Sequence, residues 1–153
     1  MSVREATGDD LGALCAIFER MGRETELPLT YDPGVARHQI WAAIHDPAAA
    51  VLLFESDGVI GGVLLGTFQY EFSTELCAFV SKLYVEREFR GLGVTPALIE
   101  RFHEHSENMG ARVCFAASTA GMGEKNERLY ANGFIRQGYE NLGRVLVRGL
   151  NHG

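Results

Sequence analysis

The sequence predicts an α/β fold built on a mixed sheet, and three observations carry that reading. Short apolar runs of strand length alternate with longer segments whose apolar residues recur at helical spacing. Turn residues such as Ser56-Asp57-Gly58 separate the runs. The resulting order is β-α-α-β-β-β-α-β-α-β, that of a mixed α/β sheet. With 153 residues and no visible repeat, linker or low-complexity stretch, residues 1–153 read as a single domain.

Val3 to Ala6 forms a first short strand. Thr7, with Asp10 three residues on, has the form of a capping box, and Leu11, Leu14, Cys15, Phe18 and Met21 follow at helical spacing. Gly22 to Tyr31 is polar and irregular. Asp32-Pro33 starts a second helix, with Ala36, Ile40, Ala43 and Ile44 as its apolar face, and Asp46-Pro47 stops it. Ala50 to Glu55 and Val59 to Tyr70 read as a hairpin, and Gly61-Gly62 suggests a bulge or kink in the second arm. Leu76 to Val85 is apolar on both faces and is therefore expected at the centre of the sheet. A helix is expected from Gly93 to Asn108, a strand from Arg112 to Ala117, and a short helix from Glu124 to Asn132 with Gly133 as its C-cap. Phe134 to Val147 is expected to hold the last strand or pair of strands.

Hydrophobic residues make up 46% and charged residues 22% of the chain, the balance of a globular protein with its own core. No apolar run has the length of a membrane span, and residues Met1 to Glu5 carry no signal-like stretch, so a cytoplasmic protein without a membrane partner is expected. A net charge of −6 disfavours nucleic acid and anionic lipid, which need an excess of Lys and Arg. The three cysteines, Cys15, Cys77 and Cys114, are widely spaced in apolar segments and read as core thiols, not as a zinc site or a disulfide framework. His103 and His105 lie two apart on a helix, point to different sides and cannot share a metal. They read as surface histidines, and no metal site is expected.

The chemistry concentrates between Lys82 and Ile99. A buried strand ends at Val85, a loop follows with Gly91 and Gly93 one residue apart, and a helix begins. Unpaired amides at a helix start, together with the helix dipole, make an anion site, and glycines let a phosphate approach the backbone. A P-loop is excluded because G-x-x-x-x-G-K-[ST] is absent. A dinucleotide fingerprint is a poor fit, since Gly91-Leu92-Gly93-Val94-Thr95-Pro96 lacks the third Gly and follows a five-residue loop. A pyrophosphate held by R-x-x-G-x-G/A on a strand-loop-helix remains.

That last pattern resembles the GNAT superfamily of acetyl-CoA-dependent N-acyltransferases. The family motif Q/R-x-x-G-x-G/A falls on Arg90-Gly91-Leu92-Gly93-Val94-Thr95, with Thr95 where Gly or Ala is usual. The Leu83-Tyr84-Val85 strand end, the Ala97-Leu98-Ile99 continuation, the opening VREATGDDLGAL and the late Gly133-Phe134 pair are similar as well, in the family's element order. The resemblance implies a GNAT-like mixed, mostly antiparallel sheet in which the strand carrying Leu83 splays from the strand Arg112 to Ala117, with helices on both faces and CoA in the gap. It implies acetyl-CoA as cosubstrate and N-acetylation of a primary amine, either a small molecule or a protein, by direct transfer, and leaves room for a homodimer.

The roles that it implies run along the motif. Backbone groups of Leu83, Tyr84 and Val85 line the pantetheine arm, and Arg90, Gly91, Leu92, Gly93, Val94 and Thr95 hold the pyrophosphate. Pro96 has no N–H and donates nothing. The Val85 amide would polarise the thioester carbonyl, and Arg87, Lys125 or Arg128 would meet the 3′-phosphate. A tyrosine on the late helix is the expected acid for the leaving thiolate. The family spacing falls on Leu129, one residue before Tyr130, and Tyr130 is taken as that acid because no other Tyr lies on this helix. Glu75, at the entrance of the central strand, is the candidate base. Ser81, His38 and His45 could touch substrate. Gly22 to Tyr31, with Arg23, Glu24, Glu26 and Tyr31, would lie over the acceptor pocket. The alternative reading is a catalytically weak CoA-binding regulatory module of the same fold, and a dinucleotide-binding protein stands third.

Overall fold

A computed structural model describes residues 2–118 and 121–150. Its elements are β1 (Ser2–Glu5), α1 (Leu11–Glu24), α2 (Pro33–His45), β2 (Ala49–Glu55), β3 (Val59–Gln69), β4 (Leu76–Val85), α3 (Val94–Asn108), β5 (Val113–Ala116) and α4 (Glu124–Ile135), with short 3-10 turns at Gly8–Asp10 and Arg87–Phe89. The strands form a 5-stranded sheet in the order β1-β2-β3-β4-β5. All pairings are antiparallel except β4–β5, which is parallel.

Helices cover both faces because the strands carry apolar residues on both. On one face Val51, Leu53 and Leu64 pack under Leu11, Leu14 and Phe18 of α1 and Ile40 of α2. On the other, Leu52, Val63, Leu65, Ala78, Val80 and Val85 pack under Leu98, Ile99 and Phe102 of α3 and Phe134 of α4. The local start signals act where the sequence places them. The Thr7 N–H donates to the Asp10 carboxylate at 2.7 Å, and the Asp32 carboxylate accepts from the Val35 N–H at 2.9 Å to cap α2.

Two features position the site. The β4–β5 ladder runs from Cys77↔Val113 to Val80↔Ala116 and stops, while β4 continues to Val85. The two central strands therefore part after Val80. In addition, Leu65 pairs with Val80 and Leu64 with Lys82, so Ser81 is an extra residue, a bulge at the point of parting. The expected kink in β3 is present at Ile60, beside Gly61, where the register to β2 shifts.

The end of the chain departs from expectation. Gly133 does not cap α4. The helix runs on to Ile135, because Phe134 is its core-facing residue, 3% exposed, and the left-handed position falls later, at Gly138 (φ 92°). Among the described residues no strand follows α4. Residues 134 and 135 are helical, and 139–150 carry no regular structure, with Leu142, Leu146 and Val147 exposed. The apolar alternation that suggested a strand is present, but the segment has no ladder partner to make it one. Of the three cysteines only Cys77 is buried.

Candidate active site

The cleft and the helix start after it are built from one stretch of chain. The Glu86 N–H donates to the Ile60 carbonyl at 2.9 Å, so the period-two alternation of the antiparallel ladder turns the backbone groups of Tyr84 toward β3 and those of Leu83 and Val85 toward the open side. After Val85 the chain makes its 3-10 turn and reaches Gly91 (φ 83°) and Gly93 (φ 85°). Both are left-handed positions that L side chains rarely adopt, and this is what brings the chain round to start α3 on Gly93. No side chain caps this helix start and no acidic residue sits in its first turn. Gly91, Leu92 and Gly93 are exposed, and the first rung of the helix comes only at Ala97 N–H to Gly93 O, so the Val94 and Thr95 amides lie ahead of the ladder. The arrangement suits a dianionic group held by backbone N–H donors at a positive helix end.

Arg90 occupies a different place from the one its charge suggests. Its Nε donates to the Val85 carbonyl at 2.8 Å, its Nη2 reaches both Glu24 oxygens at 3.1 Å, and its guanidinium lies 5.1 Å from the Tyr84 ring centre. The Tyr84 hydroxyl also donates to Glu24, at 2.5 Å, and Arg87 stands 3.8 Å away. Burial opposes ionisation of Glu24, but the hydrogen bonds from Tyr84 and Arg90 and the charges of Arg90 and Arg87 outweigh it, so its pKa lies below the ordinary carboxylate value. Burial and the bond to Glu24 push the Tyr84 hydroxyl up to about 12. Glu24, expected over the acceptor pocket, is thus the hub that ties the end of α1 to the exit of β4. No local pattern shows this, because its partners are 60 and 66 residues away. A cavity of about 560 Å³ opens beside the hub, lined by Arg20, Arg23, Glu24 and Arg87, but its arginines are spent on internal pairs such as Arg20 with Glu86 and Arg23 with Glu19.

Tyr130 lies on α4 against the core of the α3 face, its ring centre 4.9 Å from that of Phe134. Burial, then the nearby Glu127 charge, raise its pKa. Gly133 sets α4 beside the helix start, lying against Thr95 and Ile99. Glu75 is not brought to this place. It is exposed, 3.5 Å from Arg112, at the far end of β4, and Val80, where the cleft opens, is roughly 16 Å along the strand. Lys125 and Arg128 are exposed on α4, with Arg128 paired to Glu124 at 3.0 Å. His38 and His45 are exposed on α2, and His45 stacks on Trp41. His103 and His105 are not free surface groups: His103 stacks on Tyr139 with 2.9 Å between Nε2 and the hydroxyl, and His105 is 2.8 Å from Glu5. Lys82, on the α1/α2 face just past the bulge, donates to the Ser81 carbonyl at 3.0 Å, and burial lowers its pKa. Sequence reading passed over it because a lysine at a strand position looks like a solvated side chain. The loop after α1 is tied to the segment between β5 and α4, with the Glu26 N–H donating to Gly121 O at 2.6 Å. Among the described residues no group of three His, Cys, Asp or Glu gathers as a metal site would.

The sequence profile of the Acetyltransferase (GNAT) family matches residues 13–134, which span the cleft, the helix start and α4. The chain belongs to this family. Solved structures of the same fold include an integron cassette protein from the Cole Harbour Salt Marsh metagenome, 19% identical over 99% of this chain and 91% of that one with a TM-score of 0.78. AAC(6')-Iy, in complex with the bisubstrate analogue CoA-S-monomethyl-acetylneamine, is 16% identical over 98% and 97% of the two chains, with a TM-score of 0.74. A ribosomal-protein-alanine N-acetyltransferase from Brucella melitensis is 18% identical over 97% and 100%, with a TM-score of 0.71. At these identities the likeness shows the fold. No curated protein sequence matches the chain. GNAT membership supports acyltransferase chemistry and matches the mixed sheet with its parted central strands. No helix is long and apolar enough to cross a membrane among the described residues.

Proposed function

We propose that this GNAT protein is an N-acetyltransferase that moves an acetyl group from acetyl-CoA to a primary amine by direct transfer. The observation that carries the reading is the parting of β4 from β5 after Val80, together with a helix start at Gly93 whose Val94 packs in one core with Val85 at the end of β4. In it, the pyrophosphate rests on the amides of Gly91 to Thr95, and the pantetheine arm runs along the backbone of Leu83 and the N–H of Val85, whose carbonyl Arg90 holds. The neutral amine attacks the thioester carbon, which the Val85 amide polarises, and the carbon–sulfur bond breaks. Tyr130, held protonated, gives its proton to the leaving thiolate, and the amine proton passes to water at the mouth of the cleft. Arg90 acts as a positioning residue that fixes the Val85 peptide rather than as a phosphate ligand. Use of acetyl-CoA and three free thiols fits a cytoplasmic site of action. The position of Glu75, away from the cleft, keeps a second reading open, a CoA-binding regulatory module without a productive base.

Release of free thiol from acetyl-CoA with a panel of primary amines separates the two. The enzyme reading predicts amine-dependent release, falling about a hundredfold or more in Tyr130→Phe while CoA affinity is unchanged. CoA binding with no thiol release under any amine contradicts the enzyme reading and leaves the module.

A further inference from the structure

Five aromatic side chains form a continuous panel on the α1/α2 face of the sheet. Register places Phe68, Phe79 and Phe115 there, since Gly66↔Phe79, Phe68↔Cys77 and Phe79↔Phe115 share one side of the pleat with Val51, Leu53 and Leu64, and Tyr70 and Phe72, past the end of β3, join through ring contacts. Helices α1 and α2 cover those last three, and the panel continues the same face beyond them. Ring centres lie 5.7 Å apart for Phe68–Phe79, 6.0 Å for Phe68–Phe115, 6.2 Å for Tyr70–Phe115 and 4.7 Å for Tyr70–Phe72. Phe72 is 85% exposed and the other four are half-buried. Gly66 is a close approach that builds the floor, because a Cβ there would stand 2.9 Å from the Phe79 ring, and its absence lets that ring lie on the β3 backbone.

The panel abuts the cleft. Phe79↔Phe115 is the rung before Val80↔Ala116, the last before β4 and β5 part. The helix start at Gly93 and Tyr130 both belong to the α3/α4 face, so a cofactor held there leaves the opposite mouth of the cleft, on the panel's face, to the second substrate. We propose, resting on the acetyltransferase reading, that the acceptor is a primary amine carrying an aromatic ring, and that Phe68, Tyr70, Phe72, Phe79 and Phe115 are the surface on which this ring packs. A strand residue advances about 3.3 Å, so a short alkyl arm on a ring seated over Phe79 and Phe115 carries its nitrogen to the apex of the cleft. Offset and edge-to-face packing on such a panel favours a ring over a flexible alkyl chain.

The test is steady-state thiol release by the full chain at saturating acetyl-CoA with phenethylamine, propylamine and spermidine, for the wild type and Phe72→Ala, with Phe115→Ala as a second variant. The expected result is a kcat/KM for phenethylamine about tenfold or more above that for propylamine or spermidine, and a preference that narrows about fivefold in Phe72→Ala. Amine-dependent turnover with no preference for the ring, or a preference that both variants leave unchanged, overturns this inference and leaves the acetyltransferase reading standing. A change in oligomeric state in the variants, with the preference intact, assigns the panel to a second copy and overturns it too. Absence of thiol release with every amine contradicts the acetyltransferase reading itself.

Discussion

Glu24 shows how much of this site is held by contacts that sequence spacing does not reveal. One carboxylate accepts from Tyr84 and Arg90 and faces Arg87, and Arg90 in turn holds the Val85 carbonyl. Glu24→Ala leaves a half-buried guanidinium without its partner, so a stability loss of about 1–3 kcal/mol is expected, with CoA affinity falling about fivefold as the β4 exit loosens. Glu24→Gln keeps an acceptor for Tyr84 and lies between the two. Denaturant unfolding and calorimetric titration with CoA read both effects; equal CoA affinity in Glu24→Ala and wild type contradicts the positioning role. Asp10 offers a pH test. Hydrogen bonds from Arg4, at 2.8 Å, and from the Thr7 backbone hold its pKa at about 2 against an ordinary 3.8. Its stabilisation is therefore complete above pH 4 and is lost as pH falls toward 2. Asp10→Asn is expected to cost roughly 1–2 kcal/mol at neutral pH, with the gap to wild type closing near pH 2. A gap that stays constant down to pH 2 contradicts the assignment.

At the scale of elements, the sequence was legible where signals are local. The Asp32-Pro33 start, the buried β4 and the glycine pair ahead of α3 all read directly, because caps, apolar runs and left-handed glycines act within a few residues. The bulge at Ser81 did not read, since a bulge is a mismatch between two strands and belongs to neither alone. Gly133 misled for a related reason: a glycine near a helix end looks like a cap, but the demand of Phe134 for the core carried the helix past it. Phe134 is the one buried residue of α4. Phe134→Ala is expected to cost about 3–5 kcal/mol in denaturant unfolding. Because α4 also carries Tyr130, turnover is expected to fall further than CoA affinity. A loss below about 1 kcal/mol would show that α4 is anchored elsewhere.

In the whole molecule, two faces of the sheet meet through one gap. The α3/α4 face supplies a helix start for an anion and a protonated tyrosine, the α1/α2 face supplies an aromatic surface, and the parted strands connect them. The net charge of −6 makes the glycine-led helix start at Gly93, with no acidic residue in its first turn, rather than general electrostatics, the feature that must attract a phosphate. The most direct measurement is calorimetric titration of CoA into wild type, Gly93→Ala and Gly93→Asp. Gly93→Ala isolates the strain of a side chain at φ 85°, about 1–2 kcal/mol of stability, where a Cβ would meet no neighbour. Gly93→Asp adds a carboxylate where the pyrophosphate is to rest, and the account predicts a Kd for CoA raised about a hundredfold or more over Gly93→Ala. A folded Gly93→Asp that binds CoA as tightly as wild type would contradict it.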